Sequence, residues 1–466
     1  MIVPDTKWRP DLSGAGKSKY KALAQAIRDG IASGALAAGS KLPPVRDLAY
    51  QVSVTPGTVA RAYRLLTDEG RLTAEVGRGT FVAGTLRREL PVQTPLLFKV
   101  NEETADFRSS RVPDVGQGRL IDAAFVRLGE RHRRRHINYP TAETDLEARE
   151  AVVTWLGHDR LGQFDASDVI LGNGAQNCCI LALQAVLHGA HPVILTEELA
   201  YPGVRHAARM LRAEVVGVAM DDEGILPDAL AAAYRQHGAQ VLLTAAEVHS
   251  PTTIKTSARR KAEIAAMAQN LGLTIIEDDC HTTAPSDVPA YRALVPQQAY
   301  FVSSLTKAVS GALRFGFIVA PSDLAPAQRQ IAQSSFYGVA QPILDVCTDL
   351  IARGDAQQVR DRVVAQTAKR VRQAVNVLGG WDLRWREDAP FVLLHLPQGW
   401  RASLFVSACE RKGIIIRGVD EFALADGRAP NAVRLGVNTC ADDARYAQAL
   451  QDMNHLLQHP EMSMEG

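Results

Sequence analysis

The sequence is poor in cysteine and has no long apolar run, and each shortage excludes a class of protein. Six cysteines in 466 residues are too few for a disulfide framework, and none is spaced with histidine as in a zinc finger. We therefore expect reduced thiols and no structural metal. No apolar run approaches the ~18 residues of a membrane span, and the opening MIVPDTKWRP lacks a signal peptide's apolar region. The expectation is a cytoplasmic protein that does not meet a membrane.

Net charge is also nearly absent, at +1 for the whole chain, but it is unevenly distributed. Residues 1–90 contain 14 Lys and Arg against 8 Asp and Glu, whereas the remaining residues contain 38 against 43. A basic segment on a mildly acidic body favours a polyanionic partner for that segment, although solvated basic faces are common. The length predicts about two to four domains.

The N-terminal segment has the pattern of three helices followed by a hairpin. Helical spacing of apolar residues runs through KYKALAQAIRDGIASGAL, and KLPPVRDLAYQV restarts a helix behind two prolines. TPGTVARAYRLLTDEG then begins with Thr55 as N-cap and Pro56 as the first helical residue. RLTAEVGRGTFVAG forms two short alternating runs around a Gly-Arg-Gly turn. This order is typical of an α+β winged helix-turn-helix.

Small residues at the start of the third helix allow its first turn to approach bases and phosphates in a major groove. The residues expected near DNA are Arg46, Thr55, Gly57, Thr58, Arg61 and Arg78. A winged helix used for protein contacts is the alternative. Residues 17–84 resemble the GntR-type DNA-binding domain through GSKLPPVRDLA, VTPGTVARAYRLL and GRGTFVA. The resemblance implies binding to double-stranded operator DNA.

Residues 85–118 show no sustained period and carry prolines and charges, which indicates a linker between a head, residues 1–84, and a body, residues 119–466. From residue 145, strand-like runs such as VILTEE, LTIIEDD and AYFVSSLT alternate with helical patterns, such as those of residues 174–188, 227–237 and 257–271. This alternation predicts an α/β domain with a mainly parallel sheet, in which ligands collect at the carboxyl ends of strands.

Four kinds of functional group lie at those strand ends: a phosphate-binding turn, an aromatic ring, carboxylates and a lysine. GNGAQNCC places Ala175 and Gln176 where a strand turns into a helix, so backbone amides can hold a phosphate. Tyr201 supplies an aromatic plate, and IIEDDCH ends a strand with two carboxylates, either of which could keep a ring nitrogen protonated. SSLTKAVSGALR adds hydroxyls, one lysine and an arginine. Together they describe a site for pyridoxal 5'-phosphate, whose aldehyde condenses with a lysine amine.

From about residue 120 to 458 the chain resembles the fold-type-I aminotransferases, through SLTK with an arginine seven residues after the lysine, EDD, the Gly-x-Gln turn, YPG and a late VRLG. The resemblance implies Lys307 as the Schiff-base lysine and Asp278 as partner of the pyridine nitrogen. Tyr201 would stack on the ring, and Arg434 would bind the effector's carboxylate. The phosphate would be held by Ala175, Gln176, Ser304, Thr306 and Arg314.

A winged-helix head on an aminotransferase-like body resembles the MocR subfamily of GntR regulators. The resemblance implies a transcription factor that binds pyridoxal phosphate and senses an amino compound as an external aldimine, commonly as a head-to-tail homodimer. Two departures from active enzymes stand out. Ser250 replaces an asparagine, and Cys280 and His281 stand where a tyrosine is usual, although Ser250 and His281 can still hold the cofactor's phenolic oxygen.

These departures predict a sensor rather than an enzyme, because both missing groups tune proton abstraction at Cα. An active aminotransferase with a DNA-binding head is the alternative, and a winged-helix protein with an empty body is a third reading. The sequence identifies neither the effector nor the operator, nor whether the switch activates or represses.

Overall fold

The computed structural model describes residues 8, 10, 19–37, 39–68, 71–75, 79–83, 104–131, 137–424, 427–438 and 442–460. Across these ranges no helix combines the length and the apolar content needed to cross a membrane. The chain divides into two compact units, Met1–Thr94 and Pro95–Gly466.

The first unit is a three-helix domain with a two-stranded wing. Its core consists of residues at helical spacing on three helices, such as Leu23, Leu48 and Leu66, all fully buried. Its elements are α1 (Lys19–Ala32), α2 (Val45–Gln51), α3 (Pro56–Asp68), β1 (Leu72–Glu75) and β2 (Gly79–Val82). The two strands pair in antiparallel register, Leu72 opposite Val82. The predicted winged helix-turn-helix is therefore confirmed.

The second unit is built on a seven-stranded sheet. Its strands are β4 (Val169–Gly172), β5 (Val193–Glu197), β6 (Glu214–Val218), β9 (Val241–Thr244), β10 (Thr274–Asp278), β11 (Ala299–Ser304) and β12 (Gly316–Val319), and their order is β4-β12-β11-β10-β9-β5-β6. All neighbours are parallel except β12, which runs antiparallel to both β11 and β4.

Helices cover both faces of this sheet. On β10, Ile275 and Ile276 belong to different apolar cores on opposite faces, which is why the strands read as nearly continuous apolar runs. The helices before and within the sheet are α4 (Gln117–Arg131), α5 (Leu146–Leu156), α6 (Ala175–Val186), α7 (Pro202–Met210), α8 (Pro227–His237), α9 (Ala258–Leu271) and α10 (Tyr291–Leu294). A small hairpin joins β7 (Met220–Asp221) to β8 (Gly224–Ile225). The predicted α/β body is confirmed.

The C-terminal part adds a smaller sheet and its helices. Its sheet has the order β13-β14-β17-β16, with β13 (Leu383–Arg384), β14 (Phe391–His395), β16 (Arg417–Gly418) and β17 (Ala432–Gly436). The accompanying helices are α11 (Ala325–Phe336), α12 (Gln341–Ala352), α13 (Asp355–Leu378), α14 (Ala402–Arg411), α15 (Asp443–Gln458) and a 3₁₀ turn, Val419–Phe422.

Residues 104–118 differ from the expectation of a linker that ends at residue 118. Ala105–Asp106 (β3) pairs in parallel with Ile414–Ile415 (β15), and Phe107 is buried with its ring stacked 5.6 Å from that of Tyr446. This segment is fastened by hydrogen bonds to distant strands, which leave no period in the local sequence. Residues 85–103, the rest of the expected linker, lie outside the described residues.

Candidate functional site

One edge of the large sheet gathers most of the predicted site residues. Asp278 and Ser304 end the parallel strands β10 and β11. Gly316 begins β12 and pairs with Ser304 on one side and with Gly172, the last residue of β4, on the other. Because parallel strands end at one edge, the polar side chains and the start of α6 meet there.

The start of α6 forms a cradle that admits only glycine at its N-cap. Gly174 has a φ of +84°, and a Cβ there would lie 2.5 Å from Nη2 of Arg314. Arg314 Nη2 donates to the Asn173 carbonyl over 2.9 Å. A guanidinium therefore lies against the helix start, where the free backbone amides of Ala175 and Gln176 and the helix dipole favour an anion.

A buried hydroxyl on the next loop lacks a partner. Among the described residues, Thr306 Oγ1 is buried and makes no hydrogen bond, while the Thr306 amide donates to Ser304 Oγ over 3.3 Å. Buried polar atoms are rarely left unpaired, so an unsatisfied hydroxyl on the loop that follows Ser304 fits the oxygen of a ligand such as a phosphate. These residues are those that the sequence assigned to the cofactor's phosphate.

Lys307 is a half-buried lysine held by a backbone carbonyl. Its Nζ donates a hydrogen bond to the carbonyl of Ser110. Burial, the largest cause, together with repulsion from Arg434, Arg314 and Arg111 lowers the pKa of Lys307 to about 8. A lysine with such a pKa is neutral often enough at physiological pH to attack an aldehyde.

The two strand-end aspartates have different surroundings. Asp279 is buried in an ion pair with Arg160, 3.0 Å away, and accepts from Thr282 Oγ1 over 2.8 Å. Asp278 accepts from the Cys280 amide over 3.2 Å, and burial raises its pKa. A cationic ring nitrogen beside Asp278 would offset that cost of burial, whereas Asp279 already has its cation.

Tyr201 and Gln176 pack against each other through a glycine. Tyr201 precedes α7, and burial raises its pKa to about 12. Gln176 Nε2 donates to the Gly203 carbonyl over 2.9 Å, and a Cβ at Gly203 would lie 2.2 Å from both the Tyr201 ring and Gln176 Oε1. The glycine of YPG is therefore required for this packing.

Arg434 is a buried guanidinium on β17. Nη1 donates to Ser250 Oγ over 3.2 Å, and Nη2 donates to the Arg108 carbonyl. The guanidinium lies 5.1 Å from the Phe391 ring and 5.0 Å from that of Phe422. Burial, and then repulsion from Arg417, lowers its pKa to about 9. No carboxylate of the described residues forms a salt bridge with it, which fits a receptor for an acid group.

Ser250 and His281 have protein partners in the structure. Ser250 Oγ accepts the hydrogen bond from Arg434 Nη1. The peptide bond between Ser250 and Pro251 is cis. His281 Nε2 lies 2.9 Å from Ser110 Oγ, and its ring meets Phe391 edge to face at 5.4 Å. Burial, with repulsion from Lys307, holds the pKa of His281 well below its usual value, so the imidazole is neutral.

Sequence reasoning missed three members of this site. Arg160 holds Asp279, and the carbonyls of Arg108 and Ser110 accept from Arg434 and Lys307. Backbone carbonyls have no residue signature, and Arg160 stands in no recognisable motif. Finding these three residues from the sequence would have required knowing which distant segments meet in the fold.

The head presents its predicted residues around the start of α3. Thr55 Oγ1 accepts from the Thr58 amide over 3.3 Å and lies 2.9 Å from Thr58 Oγ1, so Thr55 caps the helix. Arg46 and Gly57 are exposed. The Arg61 guanidinium lies 4.2 Å from the Tyr20 ring centroid. Arg78 lies outside the described residues.

Two family models match the chain, one in the head and one that begins inside the expected linker and extends over the body. Residues 19–82 match the bacterial regulatory proteins of the gntR family, and residues 112–452 match aminotransferase class I and II. Together they decide the assignment. The chain belongs to the MocR type of GntR regulator. The family that the sequence suggested is thereby confirmed.

Relatives of this MocR-type chain are named as regulators. It is 24% identical to the uncharacterized HTH-type transcriptional regulator YdeF of Bacillus subtilis over 97% of this chain and 96% of that one. It is 28% identical to the HTH-type transcriptional regulator TauR of Rhodobacter capsulatus, covering 71% and 73%. Its structure resembles LysN, the α-aminoadipate aminotransferase of Thermus thermophilus, with a TM-score of 0.68, 19% identity and coverage of 84% and 97%. The predicted fold-type-I body is confirmed.

Proposed function

We propose that this chain is a DNA-binding transcriptional regulator whose body binds pyridoxal 5'-phosphate and senses an amino compound. The observation that carries the proposal is the approach of two cations, half-buried Lys307 after β11 and buried Arg434 on β17, to the same short segment, Arg108–Ser110, in a body that also holds a glycine cradle and an unpaired hydroxyl. Such a set offers places for a phosphate, an aldehyde and an acid group.

The proposed cofactor residues fall into groups, each of which would hold a different part of pyridoxal phosphate. Bound there, the cofactor supplies an aldehyde that condenses reversibly with amines. Its phosphate would be held by the residues of the cradle and the next loop, namely Ala175, Gln176, Ser304, Thr306 and Arg314. Asp278 would face the ring nitrogen, Tyr201 the ring, and Ser250 or His281 the phenolic oxygen. Lys307 would provide the resident amine.

The effector would be recognised by its amine and its acid group. Its amine would take the place of the Lys307 amine at the cofactor's carbonyl carbon, and its acid group would bind Arg434. To act as a switch, the effector must bind one arrangement of the protein better than another, and a tenfold shift needs about 1.4 kcal/mol of differential affinity.

The regulator function is favoured over turnover by two features. Relatives over most of the chain are named regulators. In addition, Ser250 and His281, which stand where active enzymes have an asparagine and a tyrosine, already have protein partners, Arg434 and Ser110. We propose that transamination is not the function of this body.

We further propose a homodimer that binds operator DNA in the cytoplasm. Exposed apolar side chains on the body favour a second copy as partner: Tyr139 and Tyr337 are 75% and 70% exposed, and their rings lie 5.4 Å apart. Ile137 beside them is 79% exposed. A head-to-tail arrangement would place two heads on one operator.

The test uses the purified full-length protein reconstituted with pyridoxal phosphate. The wild type is expected to show the absorbance band of a lysine-bound cofactor, and Lys307→Ala to lose it. A colourless wild type would refute cofactor binding. Steady-state transamination of ordinary amino acids with a keto acid would instead favour an active aminotransferase, whereas specific binding to neighbouring intergenic DNA supports the regulator.

A further inference from the structure

A five-residue strap, Phe107–Arg111, lies across the proposed cofactor and effector site. Two of its backbone carbonyls accept hydrogen bonds from the two cations of that site, Lys307 and Arg434. Lys307 Nζ donates to the carbonyl of Ser110, and Arg434 Nη2 donates to that of Arg108. The strap therefore contacts both groups on which the proposed ligand exchange depends.

The strap has further contacts at both of its ends. At its start, the Phe107 amide donates to the Ile415 carbonyl over 2.7 Å, and the Gly436 amide donates to the Phe107 carbonyl over 2.7 Å. Towards its end, Ser110 Oγ lies 2.9 Å from His281 Nε2. These contacts hold the strap on β15, β17 and the loop after β10.

The strap lies directly on Gly436. A Cβ at this position would come within 2.5 Å of the Ser109 carbonyl oxygen and within 3.0 Å of the Phe107 carbonyl oxygen. Because both are backbone atoms, a methyl group there would push the strap away rather than turn a side chain aside.

The hydrogen bonds that Lys307 and Arg434 make with the strap compete with the bonds that the two residues would make with the proposed ligands. A carbonyl that accepts from Lys307 stabilises its charged form, whereas reaction with an aldehyde requires the neutral amine. A carboxylate that binds Arg434 through two parallel bonds uses an N–H of Nη2, and one of the two N–H groups of Nη2 already donates to the Arg108 carbonyl. Strap and ligands thus compete for the same donors.

We propose that Phe107–Arg111 is an autoinhibitory strap, which the cofactor and effector displace from Lys307 and Arg434. This inference rests on the proposed function.

The experiment follows amide hydrogen exchange of the strap in the full-length protein. The probe is N-(5'-phosphopyridoxyl)-L-leucine, which carries the cofactor's ring and phosphate together with an amino acid's carboxylate. In the wild type we expect the peptide that contains residues 107–111 to exchange at least about tenfold faster when the probe is bound. Trypsin should then cleave faster after Arg108 and Arg111.

Two variants loosen the strap without changing Lys307 or Arg434. Gly436→Ala should raise strap exchange without the probe and tighten probe binding by about fivefold, because less of the protein is held in the strapped form. Ser110→Ala removes only the hydroxyl bonded to His281 and should act in the same direction with a smaller effect. Gly380→Ala is the matched control, since a Cβ there meets no atom within 4 Å.

The outcomes separate the strap from the proposed function. Probe binding with unchanged or slower strap exchange overturns the strap and leaves the cofactor site standing. Unchanged or weaker probe affinity in folded Ser110→Ala, whatever Gly436→Ala does, also overturns it. A wild type that does not bind the probe overturns the proposed function, and the strap inference with it.

Discussion

At the scale of single residues, the lowered pKa of Lys307 offers the most direct test. Burial lowers its pKa to about 8 from an ordinary value of 10.5. At pH 7 this makes the neutral, reactive fraction of the amine roughly 300-fold larger than for an ordinary lysine. We expect the rate of reconstitution with pyridoxal phosphate to rise with pH and level off above about 8. Stopped-flow absorbance from pH 6 to 10 measures it, and a midpoint near 10 would show an unshifted lysine.

The phosphate cradle can be tested at a single glycine. Gly174→Ala places a methyl group 2.5 Å from Arg314 Nη2 at a residue with φ of +84°. We expect affinity for pyridoxal phosphate to fall at least about tenfold, the loss of one hydrogen bond to a charged group. Fluorescence titration of the two proteins measures the change.

Gly189→Ala is the control for backbone strain in that experiment. Gly189 has a φ of +80°, and a Cβ there meets no atom within 4 Å. Both variants should lose about 1–3 kcal/mol of stability because each places a Cβ at a positive φ, but only Gly174→Ala should lose the cofactor. Equal loss of affinity in both would show that strain, and not the cradle, is responsible.

Among the elements, α9 and β10 are joined by a fully buried ion pair. Lys261 Nζ lies 2.8 Å from Glu277 Oε1, and both side chains are 0% exposed. The Tyr291 amide donates to the other oxygen of Glu277 over 2.7 Å. Because Glu277 immediately precedes Asp278, this pair also fixes the end of the strand that carries a proposed cofactor residue.

Removing one member of that pair should be costly. Lys261→Met leaves the Glu277 charge buried without its nearest cation, and we expect the free energy of unfolding to fall by about 3–5 kcal/mol. Arg259→Met, on the exposed side of the same helix, should change it by less than about 1 kcal/mol. Urea denaturation measures both, and similar values for the two variants would contradict the importance of burial.

Elements with a strong local signal could be predicted from the sequence, and those held by distant partners could not. The pattern placed α8 and α9 almost to the residue, because their apolar spacing and prolines or glycines mark the ends. The sequence pattern assigned β3 to a linker. The two residues of β3 pair with β15, which is far away in the chain, and two residues are too few to show a periodic pattern.

The same limit applied to the site. Lysine, aspartate and the glycine turn stand in compact motifs, so their convergence at one sheet edge could be foreseen. The hydrogen bonds from Lys307 and Arg434 to the strap join residues 197 and 326 positions apart, and the acceptors are backbone atoms common to every residue. Only the fold brings them together.

At the scale of the whole molecule, the uneven charge of head and body predicts DNA binding that weakens steeply with salt. Arg46 is exposed at the start of α2. If it neutralises one phosphate, Arg46→Ala should make the plot of log affinity against log salt shallower by about 0.9 for one head. For a homodimer with both heads on the duplex, the slope should become shallower by about 1.8, since each head loses one phosphate contact.

Fluorescence anisotropy with a nonspecific duplex over a range of salt concentrations measures this slope, because phosphate contacts do not depend on base sequence. Arg235→Ala removes the same charge from an exposed position on α8 of the body and should leave the slope unchanged. An equal change in both variants would mean that overall charge and not the head governs binding. A change near 0.9 would refute simultaneous engagement of two heads, and with it the dimer geometry proposed for the operator complex.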